Sequence, residues 1–284
     1  MIHVIIPVFN RLNLTINCIN SLKDQRNHKE LNIVVVDDNS TDGTSLYIKK
    51  NFSNVTILKG TGNLFWGGSI KFGVEHVLKI CSHNDWILIV NNDVELRHDT
   101  VDMLKNLANS KKRKCIVGAL TISLKDKQTI IKSGTIIKSW FFNFTKHIYK
   151  GLTLDKLTKK DPIEVDFLTG RCLLHPVELF SIAGNYDSDR FPHYGADDEF
   201  SYRVKKFGYL VLLDPLSIIY LNDYINKVSP RKFFTKLNFT FFNKKSSSNI
   251  VNKFKITIKL VPYYAMITFF TIGILKSLYI FFKK

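Results

Sequence analysis

The sequence predicts an α/β fold built on a doubly wound, mainly parallel sheet, and three observations carry that expectation. Short apolar runs alternate with stretches of helical periodicity through the first part of the chain. The runs are apolar at consecutive positions rather than every second one, as in strands covered on both faces. Three of them end on polar clusters, Pro7-Val8-Phe9-Asn10, Asp37-Asp38-Asn39-Ser40 and Asn91-Asn92-Asp93. The carboxyl ends of the strands are where open α/β sheets bind their ligands.

The elements follow in order. His3 to Val8 reads as a strand, Leu12 to Leu22 as a helix through Leu12, Ile16, Ile19 and Leu22, and Leu31 to Val36 as a second strand, giving a β-α-β unit. A helix starting near Thr44, a strand at Val55 to Leu58, a helix from Ser69 to Ile80 and a strand at Trp86 to Val90 continue the alternation. Beyond residue 110 the pattern shifts to shorter strands at Ile116 to Ile122, Thr129 to Ile137 and Val165 to Leu174, then a helix from Pro176 and another from Asp197 to Phe207. The run Lys111-Lys112-Arg113-Lys114 reads as a solvated turn. We expect a domain of residues 1–223, with halves 1–110 and 111–223, and a separate tail of 224–284. The N-terminus lacks a basic leader and reads as a strand rather than a cleavable signal.

The net charge of +17 is unevenly spread: the segment from Tyr224 to Lys284 holds twelve Lys or Arg and no acid, leaving 29 basic against 24 acidic residues before it. A nucleic-acid binder would spread positive charge over a recognition face. A basic, aromatic-rich tail instead suits an anionic membrane surface, so we expect a membrane partner and no nucleic acid. Leu260 to Leu275 is sixteen uncharged residues between Lys259 and Lys276. As a helix it reaches only about 24 Å against a hydrocarbon core of about 30 Å. That favours a helix lying in the headgroup region, with a single C-terminal span, or a soluble packing or dimer surface, as the alternatives. Cys18, Cys81, Cys115 and Cys172 show no metal-binding spacing and read as thiols in a reducing compartment.

Four clusters could carry chemistry. Asp37 and Asp38 end an apolar strand, so a carboxylate there can accept from a nucleobase N–H or a ribose hydroxyl, although the same residues also cap helices. Asp93 offers one carboxylate to a cation, sufficient for magnesium when substrate phosphates complete its shell. The glycine-rich stretch from Gly60 to Ser69 opens a helix and could present amides to phosphate, yet it is no ATPase loop. Asp197, Asp198 and Glu199 open a later helix. One could serve as a general base, and the helix dipole alone accounts for acids there.

Taken in order, P-V-F-N-R, V-V-V-D-D-N-S-T-D-G-T, G-N-L-F-W-G-G-S, N-N-D and T-G-R-C-L-L followed by H-Y-G-A-D-D-E-F-S-Y-R resemble glycosyltransferase family 2, including its rhamnosyltransferase-like members. The resemblance runs over about residues 2 to 213. It implies a GT-A fold, with residues 1–110 as the nucleotide-sugar half and 111–223 as the acceptor side, and an inverting single displacement. The implied donor is a nucleotide-diphosphate sugar such as a UDP- or dTDP-sugar, and the acceptor a glycan or lipid-linked glycan in cell-surface polysaccharide synthesis at the cytoplasmic face. It also implies nucleoside contacts from Pro7, Val8, Asn10, Asp37 and Asp38, and donor contacts from Asn63, Trp66, Gly67, Gly68, Asn92, Thr169, Gly170 and Arg171. Asp93 would ligate Mg²⁺ or Mn²⁺, and Asp197 would be the base, with Asp198 its rival. Three departures stand out: Ala196 replaces the usual Glu, Asn92 replaces an acid, and Tyr220-Leu221-Asn222-Asp223 lacks a metal-binding His, leaving either Asp223 as its substitute or a site without that ligand. These departures keep a donor-binding scaffold without catalysis as a rival. A sugar-nucleotide pyrophosphorylase would carry an Arg-containing glycine loop after the first strand, and this chain has none.

Overall fold

A computed structural model describes residues 1–222 and 233–283. The strands are β1 (Ile2–Val8), β2 (Leu31–Asp37), β3 (Val55–Lys59), β4 (Trp86–Val90), β5 (Val94–Leu96), β6 (Cys115–Ser123), β7 (Gly134–Ser139), β8 (Phe144–His147), β9 (Ile163–Glu164), β10 (Phe167–Leu168), β11 (Cys172–Pro176) and β12 (Leu210–Leu221). The helices are α1 (Leu12–Lys23), α2 (Thr44–Asn51), α3 (Phe65–Val77), α4 (Thr100–Ser110), α5 (Leu179–Ala183), α6 (Ala196–Lys206), α7 (Phe233–Phe242), α8 (Ile250–Leu260) and α9 (Met266–Lys283).

The main sheet runs β3-β2-β1-β4-β11-β6-β12-β5, with β9 beside β12. Its first four strands are parallel. Beyond them β11 is antiparallel to both neighbours, β12 is parallel to β6, and β5 is antiparallel to β12. Because β4 and β6 point the same way, the ends of β1, β2 and β4 and the start of β11 share one rim. Apolar layers cover both faces. Val34, Ile70 and Val74 lie on the side of α3 and α6, and Ile6, Ile19, Ile48 and Leu104 on the side of α1, α2 and α4.

The sheet must curl, and the chain itself says so. Four strand spacings separate β4 from β5, about 19 Å if flat. Only Asn91, Asn92 and Asp93 join the two strands, and a linker of that length reaches at most about 14 Å. The closure brings Asp93 beside the end of β12, where the Asn222 N–H donates to the Asp93 carbonyl at 2.9 Å.

Several sequence expectations shift. The third helix starts at Phe65, a turn before Ser69, because the Asp38 carboxylate accepts from the Phe65 N–H and fixes that end. Val165 to Leu174 is not one strand: Phe167 and Leu168 join a small sheet, β10-β7-β8, and Cys172 to Pro176 the large one, divided at Thr169 to Arg171. Strand β7 begins at Gly134 rather than Thr129, and the helix after Pro176 begins at Leu179. The twelve-residue β12, absent from the expected elements, is the parallel partner of β6. The run from Lys111 to Lys114 is a turn with Lys111, Lys112 and Lys114 exposed, and only Arg113 is half-buried. It lies 4.0 Å over the Trp86 ring and pairs with Glu178 at 2.7 Å. The four cysteines are free thiols.

The tail folds back on the domain. Asn143 donates to the Phe269 carbonyl at 2.9 Å, Asn252 to the Tyr194 carbonyl at 3.0 Å, and Lys255 to the Arg190 carbonyl at 3.2 Å. Tyr263–Lys283, 21 residues, is long and apolar enough to cross a membrane by length and composition. The helix exceeds the sixteen-residue stretch because it runs through Lys276, whose ammonium turns aside to the Asn143 carbonyl. Its outward face is apolar, with Ile267, Leu275, Tyr279 and Phe282 exposed.

Candidate active site

The rim is assembled from loops that bind each other through short polar side chains. Pro7 and Val8 end β1, with Val8 buried. Asn10 and Arg11 follow in the left-handed region, with φ of 59° and 67°. That turn lets the Asn10 carbonyl oxygen of the side chain accept from the Thr41 N–H at 2.9 Å, and the Asn10 N–H donate to Ser40 Oγ at 2.7 Å.

Asp37 is buried and serves its own turn. It accepts from the Ser40 N–H at 2.9 Å, from Ser45 Oγ, and from Lys59 Nζ at 3.3 Å. Burial alone would raise its pKa, but the bonds from Ser40, Ser45 and Lys59 outweigh that and hold it below the usual range. Asp38 reaches the other way, accepting from the Gly62 N–H at 2.7 Å and the Phe65 N–H at 3.1 Å. It thereby pins the glycine loop. Asn63 stays exposed at its tip.

Two glycines permit close approaches. The Gly67 N–H donates to the Pro192 carbonyl at 2.7 Å, and a Cβ there would sit 2.4 Å from the Phe191 carbonyl oxygen. Gly67 therefore fastens α3 to the loop before α6. Gly68, whose N–H donates to the Leu64 carbonyl at 3.1 Å, is already within the helix. At Gly170 a Cβ would lie 2.2 Å from the Trp66 ring. Trp66 in turn donates through Nε1 to the Asn91 side-chain oxygen at 2.8 Å.

Those contacts lead directly to the acids. The Gly170 N–H donates to Asp197 Oδ2 at 2.9 Å, and the Asn91 N–H to the Arg171 carbonyl at 2.9 Å. Thr169 precedes them, its N–H on the Ser133 carbonyl. The Arg171 guanidinium is held at the Lys132 carbonyl, 2.7 Å away. Burial pushes Arg171 below its ordinary value, while Asp93 and Asp197 both pull it back, so both carboxylates act on one cation. Asp93 Oδ2 also lies 3.4 Å from Arg11, and its Oδ1 is buried with no hydrogen-bond partner. A buried carboxylate oxygen left unpaired is costly, and it fits a divalent cation. Among the described residues no group of three or more His, Cys, Asp or Glu side chains could hold a metal. Asp223 lies outside the described residues. Asn92 turns away from the rim, donating to Thr15 Oγ1 at 3.0 Å.

Helix α6 holds the remaining carboxyls. It is anchored by Phe200, stacked on Tyr186 with centroids 4.2 Å apart, and by the Glu199–Arg203 pair at 2.9 Å. Glu199 is thus structural. Asp198 is pushed up to about 7 by burial and by Asp197, with Lys132 opposing. Arg11, Lys132 and His193 have no role expected from the sequence. Arg11 and His193 stand inside quoted motifs, whereas nothing near Lys132 marks it. His193 Nδ1 is buried without a partner. Lys245 of the tail lies 5.0 Å over Phe9 and 5.8 Å over Phe65, so the segment after α7 returns to the loops that follow β1 and β3.

A sequence profile described as Glycosyl transferase family 2 matches residues 3–172. The chain is 23% identical over 204 residues to N-acetylglucosaminyl-diphospho-decaprenol L-rhamnosyltransferase of Mycobacterium tuberculosis, covering 66% of this chain and 65% of that protein. It is 30% identical over 155 residues to an uncharacterized glycosyltransferase of Mycoplasma pneumoniae, covering 52% and 49%. It therefore spans less than two thirds of the length of these curated relatives. Among solved structures, GalNAc-T7 with UDP, GalNAc and Mn²⁺ superposes with a TM-score of 0.62 at 16% identity, over 95% of this chain and 53% of that one. The mannosyltransferase PcManGT from Pyrobaculum calidifontis in complex with GDP-Man and Mn²⁺ gives 0.56 at 13% identity, over 98% and 73%. At such identities the likeness speaks for the fold alone.

Proposed function

The chain belongs to glycosyltransferase family 2, and from that premise we propose that it moves a sugar from a UDP- or dTDP-sugar to a hydroxyl of a glycan or lipid-linked glycan with inversion. The observation that carries this reading is the buried, unpartnered Oδ1 of Asp93 on a loop tied through Asn91 and Arg171 to the Gly170 amide that holds Asp197. Asp38 and Asn10 shape the nucleoside cradle by fixing the loops around it. Asp93 would hold Mg²⁺ or Mn²⁺ through its unpaired oxygen. Such a cation supplies charge neutralisation for the departing diphosphate. Asp197, held by the Gly170 amide, takes the proton of the attacking hydroxyl. Support for donor and cation comes from the neighbours solved with UDP or GDP-Man and Mn²⁺. Support for a lipid-linked acceptor comes from the relative whose name specifies a diphospho-decaprenol.

The test is a panel of UDP-, dTDP- and GDP-sugars with Mn²⁺, measuring donor binding and hydrolysis for wild type, Asp93→Ala and Asp197→Asn. Asparagine at 197 can still accept from Gly170 but cannot act as base, so turnover should fall about 10²–10⁴-fold with donor binding retained. Asp93→Ala should lose the Mn²⁺ response. No binding or turnover of any donor, with variants indistinguishable from wild type, would sink the proposal.

The tail, residues 224–284, is proposed to hold the enzyme at the cytoplasmic face of the membrane. Its twelve basic residues and exposed aromatic side chains support that placement. The 21-residue apolar stretch favours a second reading, a single span. Flotation with vesicles containing anionic lipid separates them. Peripheral attachment is released by about 0.5 M salt, where charge is screened within about 4 Å, whereas a span resists it. No flotation at low salt rejects both.

A further inference from the structure

A cavity of about 190 Å³ lies between the acceptor half and the tail. Its walls include Lys132, Asp198, Lys253, Trp140, Phe269 and Phe270. It thus runs from the residue next to the proposed base to the apolar helix α9. Two features of this lining are unexplained by folding alone.

The first is charge. Among the described residues neither the Lys132 nor the Lys253 ammonium makes a hydrogen bond or ion pair. Lys253 is held below its ordinary pKa by burial and by the repulsion of Lys276. Cations drawn out of water are costly until an anion pairs with them. The single carboxyl in the lining, Asp198, is pushed up to about 7 by burial and by Asp197, so it opposes an anion less than an ordinary aspartate would. His147, also in the lining, is held to about 4 by burial and by Lys132 and Lys150, and is neutral near pH 7.

The second is the aromatic wall. Trp140 packs against Phe269 with ring centroids 5.7 Å apart, and Phe270 meets Phe254 at 5.9 Å. Both phenylalanines belong to the helix long enough to enter a membrane. The volume equals the share of about six water molecules. It has room for a small anion and a short length of chain, and none for a whole glycan.

We propose that this cavity receives the stem of a lipid-linked acceptor, with its phosphate or diphosphate between Lys132 and Lys253, its sugar toward Asp197 and Asp198, and the first units of its lipid along Phe269 and Phe270. The inference rests on the sugar-transfer reading and specifies where the acceptor of that reading sits. No bond is made or broken in the cavity. It sets which hydroxyl arrives at the base.

The test is binding of geranylgeranyl diphosphate to the full chain in neutral detergent, read by calorimetry and by the change in intrinsic tryptophan fluorescence that is lost in Trp140→Phe. Inorganic pyrophosphate and geranylgeraniol separate the anionic contribution from the lipid one. Wild type should bind the diphosphate lipid at least tenfold more tightly than either fragment. Lys132→Gln and Lys253→Gln should each weaken it about tenfold, and the Arg variants should restore it. Lys283→Gln, an equal charge change at the far end of α9, should leave it unchanged. Equal binding by the neutral alcohol, or equal losses from Lys283→Gln and the cavity variants, overturns the proposal in favour of general micelle attraction. Donor hydrolysis by the same preparations keeps the outcomes apart. If it persists while the cavity variants bind normally, only this inference fails, and if it is absent throughout, the transferase reading fails.

Discussion

The proposed donor and acceptor sides of the rim are held together in different ways. On the donor side the partners are close in sequence or lie on adjacent strands. Asp37 holds Ser40 and Ser45, Asp42 holds Thr44, and Asn10 reaches the next strand's turn at Thr41. On the acceptor side each contact crosses the fold: Trp66 on Gly170, Gly170 on Asp197, Arg171 on Lys132, and tail residues on the small sheet. Many small bonds therefore share the donor loops, while a few close approaches carry the acceptor side. A defect should stay local in the first and spread in the second.

The sharpest way to break that contrast is Gly170→Ala against Asp38→Asn. The methyl at 170 meets the Trp66 ring, which is tied to Asn91, so relief on one side disturbs the other. Overpacking of this kind costs about 1–3 kcal/mol, and donor hydrolysis should fall more than tenfold. Asp38→Asn keeps one acceptor oxygen for the two loop amides, at a cost of about 1 kcal/mol, and should raise donor KM with little change in kcat. Denaturant unfolding and steady-state kinetics on both proteins decide it. Equal kcat losses would erase the distinction.

A smaller effect sharpens it through pH. The carboxyl of Asp198 is raised in the folded chain to about 7 from 3.8. Its contribution to stability is fully present below the unfolded value and is lost as pH rises through about 7. His147 and His175, both depressed to about 4 by burial, pull the opposite way as pH falls from their ordinary 6.5. The quantity to follow is thus the Tm difference between wild type and Asp198→Asn. Relative to the variant, wild type should gain Tm as pH is lowered from about 8 to about 5. A flat difference would place Asp198 outside the buried cavity.

The same contrast governs what the sequence discloses. Strands β1, β2 and β4 and the polar clusters ending them are legible because each strand carries a run of consecutive apolar residues and each turn uses residues whose side chains bond nearby amides. Glu199 and Asp37 illustrate the opposite difficulty. They sit in motifs yet spend their carboxylates on Arg203 and on the turn, and no spacing distinguishes them from Asp197 and Asp38. The start of α3 was misplaced because a tertiary bond from Asp38 to Phe65 sets it. Strand β12, the break at Thr169 to Arg171 and the lysines of the tail cavity have meaning only once distant segments meet, which no local pattern announces.

The three-residue clasp between β4 and β5 has a further consequence. Since Asn91, Asn92 and Asp93 barely bridge the gap that the curled sheet leaves, their carboxylate is positioned by the whole circumference rather than by its neighbours. Fraying of the short edge strand β5 alone would displace Asp93 while the core stayed intact. Chemical competence is then a gauge of edge integrity, and inactivation by heat or denaturant would precede the loss of overall secondary structure.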